Sequence, residues 1–330
     1  MRVLVTGAAG FIGSHVAQRL VADGAQVVGI DDLSTGKRSN LADIGLRLVE
    51  GSILDPAALD EAVAGAAGPV DAVVHLAAMP SVPRSIVDPA ASHEANATGT
   101  LRVLEAARRL EEPPHVIVAS SSSVYGANPT LPKHEGLVAQ PMSPYAVSKL
   151  AAEQAALAWQ HSYGLRTLAF RFFNVYGPRQ APGHAYAAVI PAFVHAALTG
   201  EPLTVHGDGT QSRDFTYVGT VVDVIVDALA RGVTCDSPVN LAFGSRTNLL
   251  EVIDRIRDLT EQPLRVEHVA NRPGDVPHSQ ADNALLRSLF PDVTPVPLDD
   301  GLRETVAWMA AMLRVRDTES PRANAASAER

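Results

Sequence analysis

Residues 3–15 read VLVTGAAGFIGSH. An apolar run stops at Thr6, glycines follow at positions 7, 10 and 13, and a helical pattern begins. This confines the start of the chain to a strand, a tight turn and a helix, since glycines permit the turn and a close backbone approach to a pyrophosphate. The helix start adds N–H groups and the positive end of a dipole. Asp31 ends the second apolar run, AQVVGI. A carboxylate there accepts from both hydroxyls of an adenosine ribose and repels a 2′-phosphate, which favours NAD over NADP. Lys37 and Arg38 lie nearby and weaken that preference. A βα turn that binds nothing would use the same glycines.

The alternation continues. Strands are expected over 3–6, 25–30, 46–51, 72–77, 115–120 and 165–173, and helices over 12–23, 56–65, 91–110 and 145–163. Continuous Val/Ile/Leu strands separated by helices predict a parallel sheet covered on both faces. After Phe173, Pro and Gly become frequent and the elements shorten. Helices are expected over 187–199, 219–231 and 247–259, the last from the period of Leu249, Leu250, Ile253, Ile256 and Leu259. Residues 1–173 thus read as a dinucleotide-binding domain and 174–314 as a smaller α/β substrate lobe, with segments returning to the first. No flexible linker divides them, so a cleft is expected between. RVRDTESPRANAASAER, at the end, has no apolar period, and 315–330 read as a disordered tail.

Charge narrows the ligand. With 27 basic and 36 acidic residues the net charge is −9, so a nucleic-acid partner is not expected. Cys235 is the only cysteine, which rules out an internal disulfide and a thiolate zinc site and fits a reduced cytoplasm. No signal-peptide plan opens the chain and no apolar run is long enough to span a bilayer. His15, His75 and His184 lack metal-ligand spacing, and His15 and His75 read as packed or backbone-bonded.

Two stretches suggest chemistry. SPYAVSKLAAEQ puts Tyr145 and Lys149 on one helical face. A phenol near pKa 10 is a poor base at neutral pH, but a neighbouring ammonium and a positive nicotinamide ring both favour phenolate. Alone, such a pair is more often an ordinary surface Tyr and Lys. VIVASSSSVYG (116–126) ends a buried strand in a serine row.

The order and spacing of TGAAGFIGSH (6–15), DDLSTGKRSNL (31–41), HLAA (75–78), SVPRSIVDP (81–89), NATGTLRVLEAAR (96–108), SSSVYG (121–126), PYAVSK (144–149), RFFNVYGPRQ (171–180), HGDGTQSRDFTYV (206–218) and RPGDVPHSQAD (272–282) cover nearly the whole chain except the tail. They resemble the nucleotide-sugar 4-epimerase and dehydratase branch of the extended short-chain dehydrogenase/reductase family. The resemblance implies a Rossmann-type doubly wound sheet, bound NAD, a UDP-sugar substrate and a homodimer paired through helices 91–110 and 145–163. Around NAD it implies Gly7, Gly10, Phe11, Ile12, Gly13 and Asp31; then Ser52 and Ile53; then Leu76, Ala77, Ala78 and Asn96, with Tyr145 and Lys149. Ser52 stands where an acid often holds the adenine amine.

Ser121 is implied to bridge the sugar O4 and Tyr145, making Ser121, Tyr145 and Lys149 the catalytic set. Dehydratases carry Asp-Glu where this chain has Ser122 and Ser123, and serine cannot replace the acid that expels a hydroxyl. Both serines are candidate sugar contacts, although Ser120 and Ser123 read as the serine-rich end of a strand. In the second lobe the resemblance implies Asn174, Arg213 and Arg272 at the pyrophosphate, Asp275 at the uridine ribose, and Val189 at the substrate. Ser279 occupies the position whose bulk limits ring substituents, and leaves room for an N-acetyl group. Pro80 stands where some galactose-type members have lysine, and Ala181 where some uronate epimerases have arginine. The expected activity is NAD-dependent 4-epimerisation of a UDP-hexose, such as UDP-glucose and UDP-galactose. A UDP-glucuronate 4-epimerase and then a 4,6-dehydratase follow as rivals, and a non-catalytic NAD-binding redox sensor is the rival outside enzymes.

Overall fold

β1 (Arg2–Thr6) sends Val3 and Val5 to one side and Leu4 to the other, and all of them are fully buried. Each such side chain contributes about 1.5–3 kcal/mol on burial, so the strand belongs in the middle of a covered sheet. A computed structural model describes residues 1–64, 68–182, 188–270 and 276–327, with the backbone alone beyond Arg314. After β1 come α1 (Phe11–Ala22), β2 (Gln26–Asp31), β3 (Arg47–Glu50), α2 (Pro56–Ala64), β4 (Ala72–His75), α3 (Val82–Val87), α4 (Pro89–His93), α5 (Gly99–Arg108), β5 (His115–Ser121), α6 (Pro144–Tyr163) and β6 (Thr167–Phe172). The second half holds β7 (Val175–Tyr176), α7 (Val189–Thr199), β8 (Leu203–His206), β9 (Ser212–Arg213), β10 (Thr216–Tyr217), α8 (Val218–Arg231), β11 (Val239–Leu241), β12 (Thr247–Asn248), α9 (Leu249–Thr260), β13 (Val266–Val269), α10 (Ala284–Leu289) and α11 (Leu298–Ser327).

The central sheet has seven strands in the order β11-β6-β5-β4-β1-β2-β3, and every neighbouring pair is parallel. This is the Rossmann-type doubly wound sheet. One face packs Val16 and Leu20 of α1, Val221 and Ile225 of α8, and Leu286 of α10. The other packs Leu59 of α2, Val103 and Leu104 of α5, and Ala156 of α6. Strand order reverses between β1 and β4, which opens a crevice above their C-terminal ends. A separate core fills the second lobe, with Phe193 of α7, Leu203 and Val205 of β8, Ile253 of α9 and Met309 of α11. β11 and α8 nonetheless return to the sheet.

Three local expectations are corrected. The helix expected over 91–110 is α4, a π-helical turn Glu94–Thr98, then α5. Pro89 opens α4 under an Asp88 cap, and the wide turn carries the buried Asn96. The strand expected to 77 stops at His75, because the Leu76 and Ala77 N–H groups turn onto Thr6 Oγ1. The stretch read as a disordered tail carries α11 on to Ser327. Its Ala, Arg and Glu residues favour helix and extend one already begun.

Candidate active site

The crevice begins at the glycine turn. Gly7 has φ +67°, and a Cβ there would lie 2.8 Å from the Ala77 nitrogen. A Cβ on Gly13 would lie 2.0 Å from the Gly7 carbonyl oxygen, and one on Gly10 3.1 Å from it. Gly10 is the N-cap of α1 and no side chain caps that helix, so Phe11 and Ile12 enter it with their N–H groups toward the crevice end. Asp31 is 8% exposed. Its Oδ2 accepts from Ala9 N at 2.9 Å and its Oδ1 from Leu33 N at 2.8 Å. Burial pushes its carboxyl up, against those bonds. Each oxygen keeps acceptor capacity for a ribose hydroxyl. These residues fit NAD: they form a side-chain-free cradle at a helix start with an acid beyond it.

The far wall of the cradle is set by an ordered proton chain. Thr100 donates to the Asn96 carbonyl at 2.6 Å, so it accepts from His75 Nε2 at 2.9 Å. His75 Nδ1 then accepts from Thr6 Oγ1 at 2.7 Å, and Thr6 accepts from the Leu76 and Ala77 N–H groups at 3.1 and 3.0 Å. The imidazole is therefore neutral, and burial, with Lys149's charge, holds its pKa down to about 3. Asn96 extends the wall. Its Oδ1 accepts from Met79 N at 2.7 Å, and its amide donates to Ser148 Oγ at 3.0 Å. Ala78 lies in the segment thus pinned. Ile53 is buried against Gly99, where a Cβ would lie 2.6 Å from its Cδ1. Ser52 Oγ accepts from Leu54 N at 3.1 Å, leaving its proton for a ligand.

α6 brings in the chemistry. Ser143 caps it, accepting from Ala146 N, and Pro144 suits the first turn. Its buried stripe is Ala146, Ser148, Lys149, Ala152, Glu153 and Ala156. Two charged residues thus sit on the face that packs on the sheet. Burial lowers the Lys149 pKa to about 8, with Glu153 pulling it back up. Glu153 is fully buried, and accepts from Arg171 at 2.7 and 2.8 Å and from Ser120 Oγ at 2.7 Å. Ser120 thereby donates to a buried ion pair and is not strand-end filler. Burial raises the pKa of the Tyr145 phenol, with Ser121 pulling it back down. The expected lowering by Lys149 is not among these influences; among the protein's groups, Ser121 opposes burial.

A cleft of about 460 Å³ lies between the halves. Tyr145, Asn174, Val189 and Arg213 all line it, so the structure brings these sequence-chosen residues together. Asn174 takes φ +29°, and its amide donates to the Asp214 carbonyl at 3.2 Å. Arg213 donates to the Ser212 and Pro277 carbonyls. Ser279 lies beyond this lining, 8% exposed, with its N–H on the Ser212 carbonyl at 3.0 Å. Arg272, Asp275 and His184 fall outside the described residues. His15 bonds the Pro178 carbonyl, and among the described residues no cluster suits a metal ion. No described helix is long and apolar enough to cross a membrane.

Sequence reading missed several site residues. Ser81 and Pro83 line the cleft, and Ser81 caps α3 with φ +127°. Ser85 Oγ accepts from Tyr145 N at 3.0 Å and fixes the start of α6. Both serines belong to SVPRS, a stretch that matched but received no role. Asp214, fully buried beside Arg213, accepts from Gly244, Ser245 and Ala281 N–H groups at 3.0–3.2 Å. Burial raises its carboxyl to about 6.

Residues 3–242 match the family model described as the NAD-dependent epimerase/dehydratase family. A UDP-glucose 4-epimerase from Mycolicibacterium smegmatis is 37% identical over 93% of this chain and 98% of its own length. A probable UDP-glucuronate 4-epimerase from Rhizobium meliloti is 35% identical over 93% and 96%. Among solved structures, a UDP-N-acetylglucosamine 4-epimerase from Methanobrevibacter ruminantium, in complex with UDP-N-acetylmuramic acid, is 36% identical with a TM-score of 0.88, covering 94% of this chain and 98% of that one. With the glycine cradle, the Tyr145–Lys149 face and the two-sided cleft, these matches establish that the chain belongs to the NAD-dependent epimerase/dehydratase family, the extended short-chain dehydrogenase/reductases.

Proposed function

We propose that the protein is a UDP-hexose 4-epimerase that interconverts UDP-glucose and UDP-galactose and also accepts the N-acetyl sugars. One observation carries the reading. Tyr145 lines the cleft, and Ser121 opposes the upward shift that burial gives its phenol, while serines stand at 122 and 123 where elimination needs carboxylic acids.

Tyr145 takes the proton from the sugar O4, and Ser121 holds that oxygen against it. NAD, when bound, supplies the acceptor for the C4 hydride and the donor that returns it. The glycine turn, with Phe11, Ile12 and Asp31, would hold the cofactor's phosphates and ribose, Ser52 and Ile53 its adenine, and Leu76, Ala77, Ala78 and Asn96 the crevice wall beside it. Lys149, whose pKa burial lowers to about 8, binds the nicotinamide ribose. Asn174, Arg213 and Arg272 grip the sugar's pyrophosphate, and Asp275 the uridine ribose. Arginine suits that task because its planar fork matches phosphate oxygens. The grip is remote from C4, so the 4-keto sugar can turn and present its other face. Val189, Ser122 and Ser123 border the sugar, and Ser279 leaves space for an acetamido group.

The chain also pairs with a second copy, through α5 and α6. Leu101 and Val147, on those helices, are 42% and 47% exposed, and sedimentation of a monomer at micromolar concentration would contradict the pairing.

A uronate substrate is the second reading, favoured by the glucuronate-type relative at 35% identity. Ala181 weighs against it, since it offers no cation for a carboxylate. The test is an NMR product assay on UDP-glucose, UDP-N-acetylglucosamine and UDP-glucuronate. The neutral sugars are expected to give their C4 epimers with no 4-keto-6-deoxy product. Faster conversion of the uronate would move the assignment to the second reading.

A further inference from the structure

The first N–H groups of a helix have no partner within it and must find one elsewhere. At the start of α6 they can be followed residue by residue. Pro144 has no N–H to satisfy. Ala146 N donates to the Ser143 side chain at 3.1 Å, and Val147 N to the Ser143 carbonyl at 3.0 Å. That leaves Tyr145 N, which donates to Ser85 Oγ at 3.0 Å. Ser85 belongs to α3 and is fully buried. Its own proton goes to the Val82 carbonyl at 2.7 Å, and its N–H to the Ser81 carbonyl at 3.1 Å, so the hydroxyl has one orientation. Ser81, Val82, Pro83 and Tyr145 all line the cleft. Ser81 takes φ +127°, a backbone conformation that persists only where the surroundings impose it, and its Oγ accepts from Arg84 N at 3.2 Å. The Tyr145 carbonyl is tied as well: it accepts from Ser148 Oγ at 2.8 Å, which Asn96 holds at 3.0 Å.

We propose that Ser85 is a positioning residue for Tyr145, whose hydroxyl takes the one N–H that the start of α6 leaves over and so sets where the phenol stands against the cleft wall at 81–83. The bond acts on the atom next to the Tyr145 Cα. Without it a buried N–H is left unpaired, and the helix start must shift to find another acceptor. A misplacement of about 1 Å at a reacting group costs on the order of a hundredfold in rate. α3 is six residues long, too short to hold its shape alone, so the two helices fix one another at this point. Because the same hydroxyl also holds the Val82 carbonyl, the wall and the base share one frame. This goes deeper into the epimerase reading and rests on it for the part Tyr145 plays as base. The bond from Tyr145 N to Ser85 does not depend on which sugar is bound. Asn174 and Arg213 stand on other segments of the cleft, so a change at Ser85 leaves the nucleotide grip in place.

The test is Ser85→Ala in the NAD-loaded protein, at a temperature where circular dichroism shows it folded. Deuterium exchange of the Tyr145 amide, read by NMR, is expected to become about three- to tenfold faster. On UDP-glucose, kcat is expected to fall by about ten- to a hundredfold, with KM within about threefold of wild type and bound NAD unchanged. A residue that served the fold alone would lower the melting temperature without this split between kcat and KM. Ser85→Cys keeps the volume with a weaker acceptor, and carries the same comparison, with a smaller loss, should the alanine variant not fold. Unaltered exchange at Tyr145, a wild-type kcat, or a loss confined to KM would overturn the proposal. If the wild type converted no UDP-sugar, the functional reading would fall, and the exchange rates would still decide whether Ser85 holds Tyr145.

Discussion

The two ends of the crevice are built differently. The cofactor end is made of backbone: Gly7, Gly10 and Gly13 stand where a Cβ would strike the chain itself, and Asp31 reaches back to bond the same turn. The other end, the proposed sugar site, is made of side chains from distant segments, with Ser81, Tyr145, Asn174, Val189 and Arg213 meeting only in the folded protein. A backbone cradle tolerates almost no variation, whereas a side-chain wall can be reshaped residue by residue. That contrast matches the relatives, which share the NAD-dependent family while their names differ in the sugar.

The largest effect should come from filling the cradle. Gly13→Val places side-chain atoms where even a Cβ lies 2.0 Å from the Gly7 oxygen, beyond the 1–3 kcal/mol of ordinary overpacking, about which the core can relax. We expect loss of bound NAD together with a large loss of stability, measured by cofactor retention and thermal unfolding. Gly164 also has positive φ (+70°) but open space around it, and Gly164→Ala should cost only about 1–2 kcal/mol. Equal costs at the two positions would break the comparison.

Next comes the residue where the two ends meet. Tyr145→Phe keeps the ring and removes the proposed base, and turnover should fall by about two to four decades with NAD still bound. Near-wild-type turnover would show that another group takes the proton.

A smaller effect tests the wall of the cradle. The folded pKa of His75 is depressed to about 3, below the ordinary value of about 6.5. The unfolded chain therefore binds this proton first as pH falls. The stability due to neutral His75 is complete above about pH 6.5 and drains away between there and about pH 3, by at most about 1.4 kcal/mol per pH unit. Denaturant titrations across that window should show the slope, and His75→Asn, with no titrating ring, should flatten it while being less stable at pH 8.

The smallest change is confined to the sugar end. Ser279→Tyr should cut conversion of UDP-N-acetylglucosamine by about ten- to a hundredfold and spare UDP-glucose, a specificity change made by adding bulk. Equal loss on both sugars would show that this position does not select between them.

Much of this was legible along the chain. The glycine turn, Asp31 and the alternating strands are local patterns, and the Tyr145–Lys149 pair follows from helical spacing. What escaped depends on contacts between distant positions. Ser85 reaches Tyr145 N across 60 residues of sequence, and His75 is ordered by Thr6 and Thr100 on either side of it. The π-helical turn at Asn96 interrupts a segment whose composition reads as one helix. Ser120 looked like filler because its partner, Glu153, lies on α6, where it pairs with Arg171 of β6. The direction of the Tyr145 shift was also out of reach, since burial is a property of the assembled cleft.

The central claim is that the sugar is oxidised at C4 and reduced again at the same carbon, with Tyr145 moving the O4 proton and no acid present to expel a group. Incubating NAD-loaded protein with UDP-glucose carrying deuterium at C4, in ordinary water, tests this most directly. The account predicts UDP-galactose with deuterium still on C4 and no solvent hydrogen there, read by NMR. Washout of the label at C4, or appearance of a 4-keto-6-deoxy sugar, would contradict it.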